Sequence, residues 1–368
     1  MSDQSISVPF NDLTRIHEPL TLEFEDALRQ VLRTSNLVLG SEVSNFEREL
    51  AESEGSKFAV GLNSGTTAIE LALRSIGIKK GDEVITTSLT FVATCFAILQ
   101  CGAVPVLVDI DPLTGLLNPN LIESQITEKT KALVFVSLHG RIENLGEVQK
   151  ICESHGLKFI IDAAQSHLAT SGGSPQLAFA DLVTLSFYPG KNLGALGEGG
   201  AVLTNDTEFY ENIKLMRDWG AKEKYNHTVW GGNYRLESLQ AAFLRIKLKH
   251  LAEWTRKRQQ IAQIYTENLK DEYLMGPISA SESHVYHIYS IVSERRDSMC
   301  AYLESKEIAF GFHYPKAVHQ QIAYFDKVIV KSTLKNAEWL ASRTLSIPLF
   351  PEQKSNEIEY VVESLNNF

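Results

Sequence analysis

The chain has no apolar run near the 18 or so residues that a membrane-spanning helix needs, no basic tract, no CxxC pair, no internal repeat and no low-complexity segment. Each absence excludes something. Without a long apolar run, no membrane span is expected. Binding to a phosphate backbone needs clustered Lys and Arg, so a net charge of −10 without such a cluster argues against nucleic acid as a partner. The four cysteines, Cys95, Cys101, Cys152 and Cys300, are scattered without metal-ligand spacing. They read as reduced thiols of a cytoplasmic protein, neither a disulfide frame nor a metal site. Residues 1–5 lack the basic and apolar regions of a secretion signal.

What is there has the composition of a globular enzyme, and 368 residues suggest two domains of ordinary size. Helical patterns cover 20–32 and a run from Ser41, whose hydroxyl can cap it. From residue 57 short apolar strands (58–61, 83–87, 104–109, 132–136, 158–162, 181–187, 199–204) alternate with amphipathic helices, one of them over 143–155. That alternation predicts an α/β fold with a mostly parallel central sheet flanked by helices. Pro105 suits an edge strand. Thr67 and Glu70 stand at capping-box spacing ahead of a helix over 68–76, and Asn118-Pro119 opens another. Beyond Thr204 come a helix over 206–219, a polar excursion over 220–232 and a helical tract over 233–269. Strands at 285–292 and 309–313 and helices at 297–305 and 334–342 follow. The expected division is a large α/β domain over 1–240 and a smaller α+β domain over 241–368.

Two stretches carry chemistry. Ser186-Phe187-Tyr188-Pro189-Gly190-Lys191 leads from a buried strand into a glycine-rich connection, and Phe159-Ile160-Ile161-Asp162 is an apolar strand closed by a carboxylate. Alone, Lys191 would ordinarily be a solvated surface charge and Asp162 a turn or cap residue. Together they are the two minimal parts of a pyridoxal phosphate (PLP) site. A desolvated lysine amine can bond the cofactor's aldehyde, and a buried aspartate can pair with the protonated ring nitrogen. Asn63-Ser64-Gly65-Thr66-Thr67 turns into a helix whose free N–H groups suit a phosphate, with an ordinary N-cap as the alternative. Phe91 could pack in the core or cover an aromatic ring.

With these stretches in hand, the chain resembles the fold-type I PLP-dependent aminotransferases, and within them the DegT/DnrJ/EryC1/StrS family, which aminates nucleotide-linked keto-sugars. The motifs run in the family's order from Val8-Pro9-Phe10-Asn11-Asp12-Leu13 through Asp162-Ala163-Ala164-Gln165, Ser186 to Asn192, Asn233-Tyr234-Arg235-Leu236 and His313-Tyr314-Pro315 to Ile347-Pro348-Leu349-Phe350-Pro351. The resemblance implies that Lys191 carries the cofactor and Asp162 pairs with its ring nitrogen. It further implies that Gln165 lies near the ring hydroxyl, that Phe91 stacks on the ring, and that Gly65, Thr66 and Ser186 hold the phosphate. Asn233 would reach in from the second subunit of a homodimer, and Tyr188, Arg235, His313 and Tyr314 would contact the sugar nucleotide. The run from Tyr188 to Ala195 looks like the branch that aminates C3, which implies a dTDP-linked 3-keto-6-deoxyhexose with glutamate as donor. A UDP-linked 3-keto sugar or a C4-keto sugar is the alternative. Two other readings are a non-catalytic PLP-binding regulatory relative and a PLP lyase or decarboxylase acting on amino acids.

Overall fold

A computed structural model describes residues 6–276, 278 and 282–368. Residues 1–5, where no secretion signal is read, lie outside the described residues. The chain opens with α1 (Leu13–His17), α2 (Thr21–Thr34) and α3 (Ser41–Glu54), and then alternates. β1 (Phe58–Leu62), α4 (Gly65–Ser75), β2 (Glu83–Thr87), α5 (Ala93–Gln100), β3 (Val104–Val108), β4 (Thr130–Val136), α6 (Leu145–Ser154) and β5 (Lys158–Asp162) follow in turn. After a two-residue ladder, β6 (Thr170–Ser171) and β7 (Ser174–Pro175), come β8 (Leu182–Ser186), β9 (Gly200–Thr204) and α7 (Thr207–Arg217).

Seven of these strands form one sheet in the order β1-β9-β8-β5-β4-β2-β3. Only β9 runs against its neighbours; the pairs β2–β3, β2–β4, β4–β5 and β5–β8 are all parallel. Both faces are apolar, as a sheet covered on two sides requires. Along β4, Ala132 and Val134 join the core under α4, while Leu133 and Phe135 join the core on the other face. β3 is the edge strand that Pro105 suits, and its outer side is covered by Ile329, which exchanges backbone hydrogen bonds with Pro105 and Leu107. The register brings the ends of β1 and β8 and the start of β9 together, since Leu62 and Ser186 both pair with Gly200. Asp162 closes β5 at that same sheet edge, opposite Thr184.

The polar excursion forms a small hairpin, β10 (Ala221–Glu223) and β11 (Asn226–His227). α8 (Ser238–Leu248) and α9 (Leu251–Asn268) replace the expected single tract, because residues 249–250 break it. β12 (Tyr289–Val292), α10 (Arg296–Ser305), α11 (Lys335–Arg343), β13 (Thr344–Ile347) and α12 (Ser355–Asn366) complete the chain. β12 and β13 pair antiparallel, and a third core forms around them from α9, α10 and α12, with Val8 from the other end of the chain. The elements do not separate cleanly along the sequence: Leu244 and Leu251, and later Ala337 and Leu340, belong to the core of the large sheet. No helix among the described residues is long and apolar enough to cross a membrane.

Several local expectations are corrected. Ser41 does not cap α3, because it already lies inside the helix and Gly40 holds the extended N-cap position. Thr67 is not the cap of α4 either. The helix begins earlier, at Gly65; Ser64 caps it in an extended conformation, accepting from the Thr67 N–H at 3.1 Å, while Glu70 pairs with Arg74. The run from Asn118 makes two short 3-10 turns instead of a helix. Residues 309–313 contribute one bridge, Gly311 to Ser346, instead of a strand, and the strand expected over 285–292 begins only at Tyr289.

Candidate functional site

The C-terminal edge of an open parallel sheet is where such folds place ligands, and here it opens into a cavity of about 680 Å³. Asp162 stands on its floor, 5% exposed. Its Oδ2 accepts from the Thr94 hydroxyl at 2.8 Å and its Oδ1 from the Ala164 N–H at 3.2 Å. Burial nonetheless raises its pKa, against the opposing pull of these two donors and of Lys191. A carboxylate held this way calls for a cationic partner.

Lys191 lines the same cavity from the loop between β8 and β9. That loop is tied down by hydrogen bonds from Phe187 N–H to Gly199 C=O, Ala195 N–H to Phe187 C=O, and Lys191 N–H to Tyr188 C=O, all 2.8 Å. Burial lowers the Lys191 pKa to about 8, and the Asp162 charge opposes the shift. An appreciable fraction of the amine is therefore free near neutral pH, as a nucleophile or a proton carrier requires.

On the third side are the first residues of α4, Gly65 and Thr66, beside Ser186. The N-terminal N–H groups of a helix favour an anion. Gly65 is required by space: a Cβ there would lie 2.6 Å from the Cβ of Ser186. Phe91, 55% exposed, stands over the cavity with its ring 5.7 Å from that of Tyr314. Gln165 donates through Nε2 to the Tyr314 hydroxyl at 3.2 Å and accepts from the His139 N–H. His313 also faces the cavity, its Nδ1 2.8 Å from the Ser346 hydroxyl, and Tyr188 stands exposed at the rim.

Ten of the twelve residues singled out in the sequence therefore line one cavity. Asn233 and Arg235 do not. Asn233 is exposed, and Arg235 forms an ion pair with Asp218 at 2.6 Å, away from the cavity of its own chain. Thr94, Asn11 and His287, which also face the cavity, were assigned no separate role from the sequence. The signal for Thr94 was a hydroxyl one turn beyond Phe91; Asn11 sits in the motif from Val8 to Leu13 and His287 in the strand expected over 285–292.

The donor set fits PLP. One cavity holds a buried carboxylate that needs a cation, an amine of lowered pKa and a helix N-terminus whose glycine leaves room for an anion. Comparison with known proteins agrees. The model of the DegT/DnrJ/EryC1/StrS aminotransferase family matches residues 20–366. The chain is 39% identical to the pleiotropic regulatory protein of Geobacillus stearothermophilus, over 99% of each chain. It is 38% identical to the dTDP-3-amino-3,4,6-trideoxy-alpha-D-glucose transaminase of Streptomyces venezuelae, over 98% of this chain and 96% of that protein. The crystal structure of S. venezuelae DesV in complex with a ketimine intermediate superposes with a TM-score of 0.95 at 36% identity, covering 98% of both chains. Fold and site thus define a fold-type I, PLP-dependent aminotransferase. The chain belongs to the DegT/DnrJ/EryC1/StrS aminotransferase family.

Proposed function

We propose that this aminotransferase converts a nucleotide-linked keto-sugar to the amino-sugar, with C3 of a dTDP-linked 3-keto-6-deoxyhexose as the carbon aminated and glutamate as donor. The observation that carries the reading is the cavity of about 680 Å³ that Lys191 and Asp162 share. The transaminase name of the S. venezuelae relative supports the dTDP-sugar. A UDP-linked 3-keto sugar or a C4-keto sugar remains the alternative within the same reading. PLP, when bound, supplies a ring that accepts charge from the donor's α-carbon.

The chain's own residues then divide the work. Lys191 would bond the cofactor and, when free as an amine with a pKa of about 8, would move the proton. Asp162 keeps the ring nitrogen protonated, and Thr94 orients that carboxylate. Gly65, Thr66 and Ser186 would hold the phosphate, and Gln165 and Phe91 would bind the ring. Tyr188, His313 and Tyr314 form the sugar side. Asn233 serves the site of the second subunit in a homodimer, consistent with its exposure outside its own cavity, while Arg235, paired with Asp218, is not among the residues on the sugar side. The division into a large unit over 1–240 and a small one over 241–368 is part of the same proposal.

The test is conversion of a panel of dTDP- and UDP-linked 3-keto and 4-keto sugars with glutamate, followed by locating the new amine in the product. Amine at C3 of a dTDP-sugar supports the reading, and amine at C4 overturns the regiochemistry. A second reading has one specific support, the regulatory name of the Geobacillus relative. A purified holoprotein that bleaches with no amino acid and turns over no keto-sugar would favour it.

A further inference from the structure

His287 has no role in the reading above, yet it lines the same cavity as Lys191 and Asp162. Its protonation pattern follows from its neighbours. The Asn192 amide donates through Nδ2 to the Val285 carbonyl at 3.1 Å, which settles which end of that amide is oxygen. Asn192 Oδ1 therefore faces His287 Nδ1, 3.3 Å away. A carboxamide oxygen only accepts, so Nδ1 carries a proton. Burial, with the charges of Lys191 and Arg258, keeps the ring neutral far below its ordinary value, so it holds one proton only. Nε2 is left with its lone pair. Much else on that wall is already engaged: Gln165 with His139 and Tyr314, and His313 with Ser346.

We propose that His287 is a substrate-positioning residue, whose Nε2 accepts a hydrogen bond from a hydroxyl of the sugar ring and so sets the keto carbon beside Lys191. The specificity follows from the tautomer: a fixed acceptor selects a donor, and an analogue lacking that hydroxyl loses the bond. The proposal rests on the keto-sugar reading of the site.

Two variants separate this role from a structural one. In His287→Asn the amide nitrogen stands near the Nδ1 position and keeps the bond to Asn192, with nothing at Nε2. His287→Gln places its amide near Nε2. One neutral hydrogen bond corresponds to roughly tenfold. His287→Asn is expected to raise the KM for the keto-sugar by about that factor, with the half-reaction of the amino-acid donor unchanged and His287→Gln recovering most of the loss. Among monodeoxy analogues of the substrate, the one lacking the recognised hydroxyl should bind wild type and His287→Asn equally. Equal slowing of both half-reactions, or an unchanged KM, overturns the proposal. The tautomer has its own readout: nitrogen NMR of histidine-labelled holoenzyme should show His287 protonated at Nδ1 across pH 6 to 9. Protonation at Nε2 sinks this proposal with the enzyme's function intact. A wild type that converts no keto-sugar sinks the proposed function and leaves the tautomer standing.

Discussion

Asp162 depends on few partners, and that makes them testable. Thr94 supplies a buried hydroxyl at 2.8 Å; Thr94→Val removes it with little change of shape. The carboxyl pKa should then rise further, and kcat/KM should fall roughly tenfold with its acid limb moved to higher pH; an unchanged pH profile would contradict the role. Asp162→Asn should cost on the order of 10²–10³ in kcat, comparable with removing one preorganised charge partner. Glu54 is a carboxyl outside the site, buried with a single hydrogen bond from the Leu168 N–H at 3.1 Å, and burial raises its pKa from 4.5 to about 7. A folded value above the unfolded one means no cost below about pH 4.5 and the full cost above about pH 7. Glu54→Gln should therefore stabilise the fold at pH 8, on the order of 3 kcal/mol, and not at pH 4.5. Denaturant titrations at the two pH values check this. Lys191 and Asp162 were legible in the sequence because each puts a charge at the end of an apolar run, which needs a reason. Thr94 and His287 were not, since a threonine in a helix turn and a histidine in an extended segment carry no such mismatch.

At the scale of elements, α4 links sequence, fold and site most directly. It is buried along nearly its whole length, and its N-terminus meets the ends of β1 and β8. Ser64→Ala should cost about 1 kcal/mol through the lost cap. Gly65→Ala should weaken cofactor binding more than it weakens the fold, because the new Cβ would displace Ser186. Equilibrium binding of PLP to the two variants, measured beside their melting, separates these outcomes. α9 acts by a different route: Arg258 Nη1 donates to the Leu349 carbonyl at 2.8 Å and lies 3.3 and 3.5 Å from those of Tyr286 and His287. The strands and their parallel order could be read from apolar runs. The start of α4 could not, because Gly65-Thr66-Thr67 has poor helix propensity and is held by the Ser64 cap and by burial. The break at 249–250 was hidden because both flanking runs are helical in composition; α8 and the start of α9 share the core of the large sheet, and only the later part of α9 turns to the third core.

For the whole molecule, six histidines, His17, His139, His167, His284, His287 and His313, are held neutral by burial, with pKa values of about 4 or lower or well below the ordinary 6.5. On unfolding each takes a proton below about pH 6.5, so stability should fall as pH drops from 6.5 towards 4, with the buried carboxyls Glu54 and Asp162 pulling the other way. A melting temperature equal at pH 5 and pH 7 would contradict this. Exposed Leu22, Leu32 and Leu37 beside α2, and Trp230 in the excursion, are consistent with a partner subunit. If Asn233 serves the neighbouring site, co-expressing Lys191→Ala and Asn233→Ala chains should restore about a quarter of wild-type activity, since half the dimers would carry one intact site. No recovery, with Asn233→Ala alone inactive, would place Asn233 in the function of its own chain, and full activity of Asn233→Ala alone would place it outside the site.

The proposed function requires that the amine at 191, and no other, bonds the cofactor. The chain offers a rival, Lys247, 2% exposed and also lowered to about 8 by burial, lying behind the loop of Lys191. Borohydride reduction of the PLP-loaded protein, followed by peptide mass spectrometry, decides between them. A pyridoxyl adduct on Lys191 is expected, and an adduct on Lys247 or on no lysine would contradict the account.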